Sequence, residues 1–279
     1  MISKDSAGLR IRFYIISTLL VVFWLLPLVI AGFTAMKTMD EFMSNPYMWA
    51  PPEKWTLENF STVWTRVGMW RYMLNTVFIS SMSVAGTLFV SSLSAFALSF
   101  YTFRMNKPIL FLFVAGMLLP FQMLMIPVFR FSDAVGLLNT YQGIILFHVA
   151  FQIGFCTFFL CNFMKTVPFS LFEAAKIDGA NDLYIYGKIM MPLSLPALAA
   201  LGVLEFTWIW NDLLWSLILL QSDRLKPITL GLANMQGQYI TQYNLMAAGS
   251  ILAASVPLIV FLMFQRYFIE GLTVGAEKG

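Results

Sequence analysis

Long runs without a charged side chain dominate the chain. Residues 13–36, 72–103, 108–129, 134–164 and 227–265 contain no Asp, Glu, Lys or Arg, and 189–222 contain only Glu205 and Asp212. Each run can hold a helix of about 20 residues, the length that crosses the hydrocarbon layer of a bilayer. Helices are required because lipid offers no partner to backbone N–H and C=O groups, so a spanning segment must satisfy them internally. Barrel strands would alternate apolar and polar residues, and these runs do not. The pattern predicts an all-α polytopic membrane protein with six spans, near 13–35, 72–100, 108–129, 141–164, 197–220 and 244–266. They form one transmembrane domain over residues 1–279.

Composition narrows the picture. Hydrophobic residues make up 59% of the 279 and charged residues 11%, against about 45–50% and about 25% in a soluble domain. So few charges cannot clothe a soluble surface of this size. The net charge of +3 is spread along the chain, which leaves no basic cluster for nucleic acid. His148 is the only histidine and no phosphate-loop sequence occurs, so no metal site, no catalytic residues and no enzyme activity are expected. Cys156 and Cys161 lie five apart in an apolar run; a helix separates them by about 7.5 Å along its axis, too far for a disulfide. The apolar run from Phe13 to Met36 is 24 residues long, against about 7–15 in a cleaved signal, so it reads as an uncleaved first span.

Basic residues orient the spans. Arg104 and Lys107 flank a short connection, and Lys4, Arg10 and Arg12 precede the first span. Basic loops stay in the cytoplasm. With six spans, both termini and the 165–196 segment are then cytoplasmic. The aromatic, proline-rich stretch 45–52 falls in an outer loop.

The 165–196 segment is more than a connection. Ser170 and Glu173 have capping-box spacing before a short helix over 171–178. Gly179 suits the left-handed residue that ends it, and Asn181 or Asp182 can cap a second helix. Pro192 and Pro196 mark the return to the membrane. Small residues at Ala174, Ala175 and Gly179, ringed by Glu173, Lys176, Asp178 and Lys188, suit a helix that fits a groove on another protein. The alternative is an amphipathic helix lying on the membrane surface.

Polar groups inside spans are costly and turn toward a bundle interior or a watery cavity. Glu205, Trp208, Asp212 and Trp215 fall at offsets that share one helix face, with Asn211 beside it. Carboxylates accept hydrogen bonds from hydroxyls and indoles cover the apolar faces of sugar rings, so this face reads as a translocation-pathway lining. The alternative is that Asp212 and Asn211 simply hold helices together. His148 reads as a packing group, and Pro120, Pro127 and Pro257 as points where spans kink.

Glu173-Ala174-Ala175, three residues, Gly179, nine residues, then Ile189-x-Met191-Pro192 resembles the EAA loop of permease subunits in ATP-binding-cassette importers, with Met191 for the family's Leu. Trp55-Thr56-Leu57-Glu58-Asn59-Phe60, Leu118-Leu119-Pro120, Gly136-Leu137-Leu138-Asn139-Thr140-Tyr141, Trp210-Asn211-Asp212 and the ending from Gln265 to Gly279 resemble the carbohydrate-uptake branch, specifically the smaller six-span maltose-type permease. The resemblance implies a type I importer architecture and a sugar or oligosaccharide as cargo. It implies a second permease subunit, two ATPase subunits that use ATP and Mg, an extracytoplasmic sugar-binding protein, surrounding membrane lipid, and a bacterial plasma (inner) membrane. No cofactor is bound by this chain itself. Glu173, Ala174, Ala175, Gly179, Ile189 and Pro192 would contact an ATPase, and the tail residues Gly271, Leu272, Thr273 and Gly275 would reach between the two ATPases. The larger partner would supply most sugar contacts. An ion-gradient-driven secondary transporter is the rival, with Glu205 and Asp212 as its ionisable groups; six spans and one docking loop fit it poorly.

Overall fold

A computed structural model describes residues 5–45, 47, 49–118, 120–236 and 242–273, with side chains from residue 8 to 266 among these. All regular elements among them are helical. In chain order they are α1 (Asp5–Ala35), α2 (Met39–Ser44), α3 (Glu58–Thr65), α4 (Met69–Phe100), α5 (Asn106–Met117), a 3₁₀ turn (Phe121–Leu124) and α6 (Met125–Ala134). Then follow α7 (Tyr141–Met164), α8 (Phe169–Ile177), α9 (Asp182–Tyr184), a wide π turn (Ile185–Met190), α10 (Met191–Leu193) and α11 (Leu195–Trp210). The last are α12 (Leu214–Leu219), a 3₁₀ turn (Asp223–Leu225), α13 (Ile228–Asn234) and α14 (Tyr243–Thr273).

Among the described residues, four stretches are single helices long and apolar enough to cross a membrane: Gly8–Ala35, Met69–Phe100, Tyr141–Met164 and Tyr243–Arg266. The other two expected spans are not continuous. In place of a helix over 108–129 there is a pair, Asn106–Met117 and Phe121–Ala134, bent by 94°. Pro120 lies at the break, where it has no N–H to continue α5. The expected helix over 197–220 stops at Trp210, and its apolar length comes instead from Asp182–Leu193 and Leu195–Trp210, bent by 72°. Pro257, by contrast, lies inside the single helix α14.

The chain divides into two compact units, Met1–Trp70 with Leu232–Ala254, and Arg71–Gly231 with Ser255–Gly279. In the first, the loop after α1 is tied down by polar side chains. Asn59 donates to the carbonyls of Ala35 (2.8 Å) and Lys37 (2.7 Å) and accepts from the Asn244 side chain (3.1 Å). Lys37 is buried and its Nζ donates to the Tyr47 carbonyl at 2.8 Å. The Glu41 carboxylate accepts from the Glu53 amide at 2.7 Å. The buried Asn59 amide and Lys37 ammonium are thus both paired, as burial demands.

In the second unit α4, α7 and α11 pack together. Lipid removes the hydrophobic drive between helices, so close approach at small residues carries the packing. A Cβ on Gly86 of α4 would sit 2.8 Å from Val149 of α7, and one on Gly154 of α7 would sit 3.3 Å from the Phe113 carbonyl of α5. Ser91 of α4 donates to the Ile153 carbonyl of α7 at 3.3 Å. The start of α7 is equally tight. Thr140 caps it, accepting from the Gly143 amide at 3.0 Å, and a Cβ on Gly143 would collide with the Leu137 carbonyl. Gly143→Ala is therefore expected to destabilise this unit by about 1–3 kcal/mol, the usual result of overpacking; thermal unfolding of the purified protein reads it, and an unchanged midpoint refutes it.

Candidate functional site

The 165–196 segment folds as a compact helix-turn-helix at the end of the α4–α7 bundle. Its first helix starts earlier than the capping-box spacing suggests. Pro168 is the N-cap of α8, and Ser170 lies inside the first turn without making a cap bond. Proline tolerates this place because its fixed φ suits a helix start and its missing N–H would have no partner there. The end is a Schellman turn: the Ala180 amide donates to Ala175 O (3.0 Å) and the Gly179 amide to Lys176 O (3.1 Å). Gly179 has φ +82°, the left-handed region. Asn181 caps α9, its side chain accepting from the Tyr184 amide at 2.8 Å. The following turn widens, with the Met191 amide reaching back to Tyr186 O. It ends at Met190, and Pro192 in α10 cannot donate to the carbonyl four residues earlier.

The Ala174–Ala175 pair splits between two faces. Phe172 and Ala175 are buried in the cluster with Phe96, Phe100, Leu160 and Met164; the Phe100 and Phe172 rings stack at 5.2 Å. Glu173, Ala174 and Gly179 face outward, Ile189 is half-buried and Pro192 is exposed. Two large apolar side chains beside the turn have no cover in this chain: Ile177 is 85% exposed and Leu183 76%. Between the helices runs a groove of about 590 Å³ lined by Asp178, Gly179, Asn181, Tyr184 and Lys188. Lys176 pairs with Asp182 across the turn and lies over the Phe172 ring at 5.7 Å. Lys176, and then the Tyr101 phenol, hold the Asp182 carboxyl below the usual carboxylate range. Burial, with Asp182 nearby, pushes the Tyr101 phenol up to about 12.

The second candidate surface lies where the fifth predicted span breaks. Because α11 ends at Trp210, Glu205, Trp208, Asp212 and Trp215 do not share one continuous helix face. Glu205 points away from the rest: it is fully buried, and Oε1 accepts from the Cys156 thiol at 3.2 Å. The other residues gather around a cavity of about 410 Å³ whose lining includes Trp208, Asn211, Asp212, Trp215, His148 and Phe147. Trp208 is half exposed, Trp215 is buried, and the Phe147 and Trp215 rings lie 4.0 Å apart. Asp212 receives the first amides of α12: Oδ1 accepts from Trp215 N (3.1 Å), and Oδ2 from Ser216 N and Oγ (2.8 Å each). Thr229 donates to the Asp212 carbonyl at 2.6 Å. Asn211 donates back to Thr207 O at 2.8 Å. The α7 side of this cavity, Phe147, His148, Phe151 and Gln152, was not read from the sequence. Its signal was present, since 147, 148, 151 and 152 form an i, i+1, i+4, i+5 stripe, but that spacing equally describes core packing.

A polar latch holds α12 behind the cavity. Asn139 is the single non-glycine residue with positive φ among the described residues (φ 58°). Its Oδ1 accepts from the amides of Gln221 (3.0 Å) and Ser222 (2.8 Å), its Nδ2 donates to Ser222 Oγ (2.6 Å), and its own amide donates to Leu219 O (2.8 Å). Asn75 continues the latch: it donates to the Arg224 and Lys226 carbonyls (2.9 Å each) and accepts from the Tyr141 hydroxyl (2.8 Å). Tyr72 donates to Asp223 at 3.0 Å, and Arg71 pairs with it at 3.3 Å.

At the C-terminal end, α14 continues through Gly271, Leu272 and Thr273, past the end of the sixth span expected near 266. Gly271 does not stop it because the apolar span propagates the helix. Gly275 lies outside the described residues.

The fold is that of an ATP-binding-cassette importer permease. A crystal structure of a bacterial ABC transporter involved in the import of the acidic polysaccharide alginate superposes with a TM-score of 0.84 at 22% identity, over 96% of this chain and 99% of that one. The family described as "Binding-protein-dependent transport system inner membrane component" matches residues 88–273, and the chain belongs to it. It is thus a membrane permease. Among its relatives is the arabinooligosaccharides transport system permease protein AraQ of Halalkalibacterium halodurans, 36% identical over 260 residues, 92% of this chain and 91% of the relative. Another is the alpha-glucoside transport system permease protein AglG of Rhizobium meliloti, 33% identical over 82% of this chain and 62% of the relative.

Proposed function

We propose that the chain is the smaller permease subunit of a bacterial importer for a sugar or oligosaccharide. It works beside a second permease, above two ATPase subunits that bind and hydrolyse ATP with Mg, and below an extracytoplasmic sugar-binding protein. Relatives named for arabinooligosaccharides and alpha-glucosides support the cargo class. The observation that carries the coupling role is the turn at Gly179, with Ile177 and Leu183 uncovered on either side of it. Two exposed apolar side chains beside a tight turn suit a groove on a partner protein better than solvent. Glu173, Ala174, Gly179, Ile189 and Pro192 lie on or near that surface; Ala175 supports it from the bundle side. The membrane-facing surface also leaves room for lipid and a second permease: none of the apolar stretch of α1 is buried within this chain. Gly271, Leu272, Thr273 and Gly275 form a second contact with the ATPases. Trp208, Asn211, Asp212 and Trp215 line the pathway, and Glu205 holds α7 to α11. Co-purification tests the assembly: Ile177→Asp combined with Leu183→Asp should release the ATPases while the two permeases stay together. An ATPase retained by that variant would sink the coupling role.

In this reading the inner membrane holds the spans, and both termini and the 165–196 turn face the cytoplasm. Cysteines placed at Ser44, Trp55 or Gln221 should react with an impermeant reagent added to intact cells, and one at Ser170 should not; Cys156 and Cys161 are both buried. Labelling at Ser170 from outside would overturn the orientation.

A further inference from the structure

The cavity at the α11–α12 break contains a polar group that nothing in the fold uses. His148 is 4% exposed, its Nε2 has no hydrogen-bond partner, and it lies on the cavity wall. Asp212 Oδ2 lies 3.8 Å from it, too long for a direct hydrogen bond. A buried nitrogen left unpaired costs stability, so its retention at the wall of a cavity points to a partner that comes and goes. The Asp212 carboxylate has about four acceptor positions. Trp215 N occupies one on Oδ1, and Ser216 N and Ser216 Oγ occupy both on Oδ2, which leaves one, on Oδ1. A hydroxyl both donates and accepts. One ring hydroxyl between the two groups can accept from His148 Nε2–H and donate to Asp212, completing both sets.

The walls match the same ligand. Trp208 is 48% exposed, which leaves much of its indole free to cover the apolar face of a ring, and Trp215 and Phe147 close the far side. Asn211 and Gln152 add amides. A volume of about 410 Å³ lies within the range of small-ligand sites, about 300–1,000 Å³. No Lys or Arg lines the cavity, and its one charged group is a carboxylate. An acidic sugar would meet like charge and no cation.

Resting on the sugar-import reading above, we propose that this cavity is a saccharide subsite within this subunit, selective for neutral rings. His148 and Asp212 share one ring hydroxyl and Trp208 covers the ring face. His148 is then a specificity-determining residue rather than packing.

The test uses the reconstituted importer with its second permease, ATPases and a saturating amount of its binding protein. Import of arabino-oligosaccharides and of α-glucosides is measured side by side, with an alginate oligosaccharide as the acidic probe. His148→Phe keeps the ring volume and removes the donor; Trp208→Ala removes a half-exposed wall without opening the core. Each should lower import of the carried sugar about tenfold or more, the loss expected when a buried hydrogen-bonding or stacking group goes. His148→Gln, which keeps a donor and an acceptor, should recover most of it, and the ratio between the two sugars should shift. Wild-type import by both His148→Phe and Trp208→Ala overturns the subsite. So does a loss in His148→Phe that follows complex assembly, is equal for both sugars and is not recovered by Gln. Import of the alginate probe as fast as the neutral sugars overturns the selectivity. If the wild-type complex carries no neutral sugar at all, the sugar reading itself fails, and the subsite with it.

Discussion

Gly179→Val is expected to abolish transport while leaving the permease in the membrane. Gly179 has φ +82° and closes the Schellman turn that joins α8 to α9. A β-branched residue held there costs about 1–2 kcal/mol, and the turn relieves that strain by opening. Within this chain a Cβ at Gly179 meets no other atom, so the fold of the bundle has little to lose. What changes is the surface offered outward, where Ile177 and Leu183 stand exposed. Loss of about 1.4 kcal/mol of docking energy weakens ATPase binding tenfold. Gly187→Ala is the matched control: Gly187 lies in the same segment, is exposed, has no left-handed φ and has nothing within 4 Å of its Cβ position. Sugar-dependent ATP hydrolysis in the reconstituted complex should vanish in the first variant and persist in the second. Equal activity of the two would mean the turn is not a coupling element.

The second large effect is expected from Asn139→Ala. The side chain makes three hydrogen bonds to residues 221–222 and occupies the left-handed region at φ 58°. Asn tolerates that conformation better than Ala. Three bonds at about 0.5–1.5 kcal/mol each, with the added backbone strain, give a loss of roughly 2–6 kcal/mol. The loss is local to the latch that holds α12 behind the cavity. Protease sensitivity near residues 219–226 should rise and import should fall, with α8 and the ATPase contact unaffected. A variant with unchanged protection of that loop would show that Asn75 and Tyr72 hold it alone.

Pairing these variants separates the two ends of the molecule. Gly179→Val acts on transmission and Asn139→Ala on the geometry of the cavity, and neither residue touches the other's element. Their effects on stability should add, as for distant and independent sites.

Much of this protein was legible in one dimension. Charge-free runs fix where apolar helices lie because lipid admits no unpaired backbone, and α7 spans the same residues, 141–164, that the pattern predicts. Gly179 and Asn181 were equally legible, since a left-handed turn and a helix cap are local demands that only a few residue types meet. Hydropathy could not show that two runs break, because it measures transfer to lipid and not direction. The break after Trp210 follows from Asp212, whose carboxylate collects the first amides of α12. The split of Ala174 from Ala175, and of Glu205 from Trp208, depends on which helix packs against which face. So does the meeting of His148 with Asp212, 64 residues apart in the chain. Sequence by itself determined that this chain crosses a membrane in helices and presents a turn to one side, because solvent and backbone chemistry act residue by residue. Only the tertiary structure decided which polar side chains share a cavity, because that is set by contacts between helices whose order in space no local rule encodes.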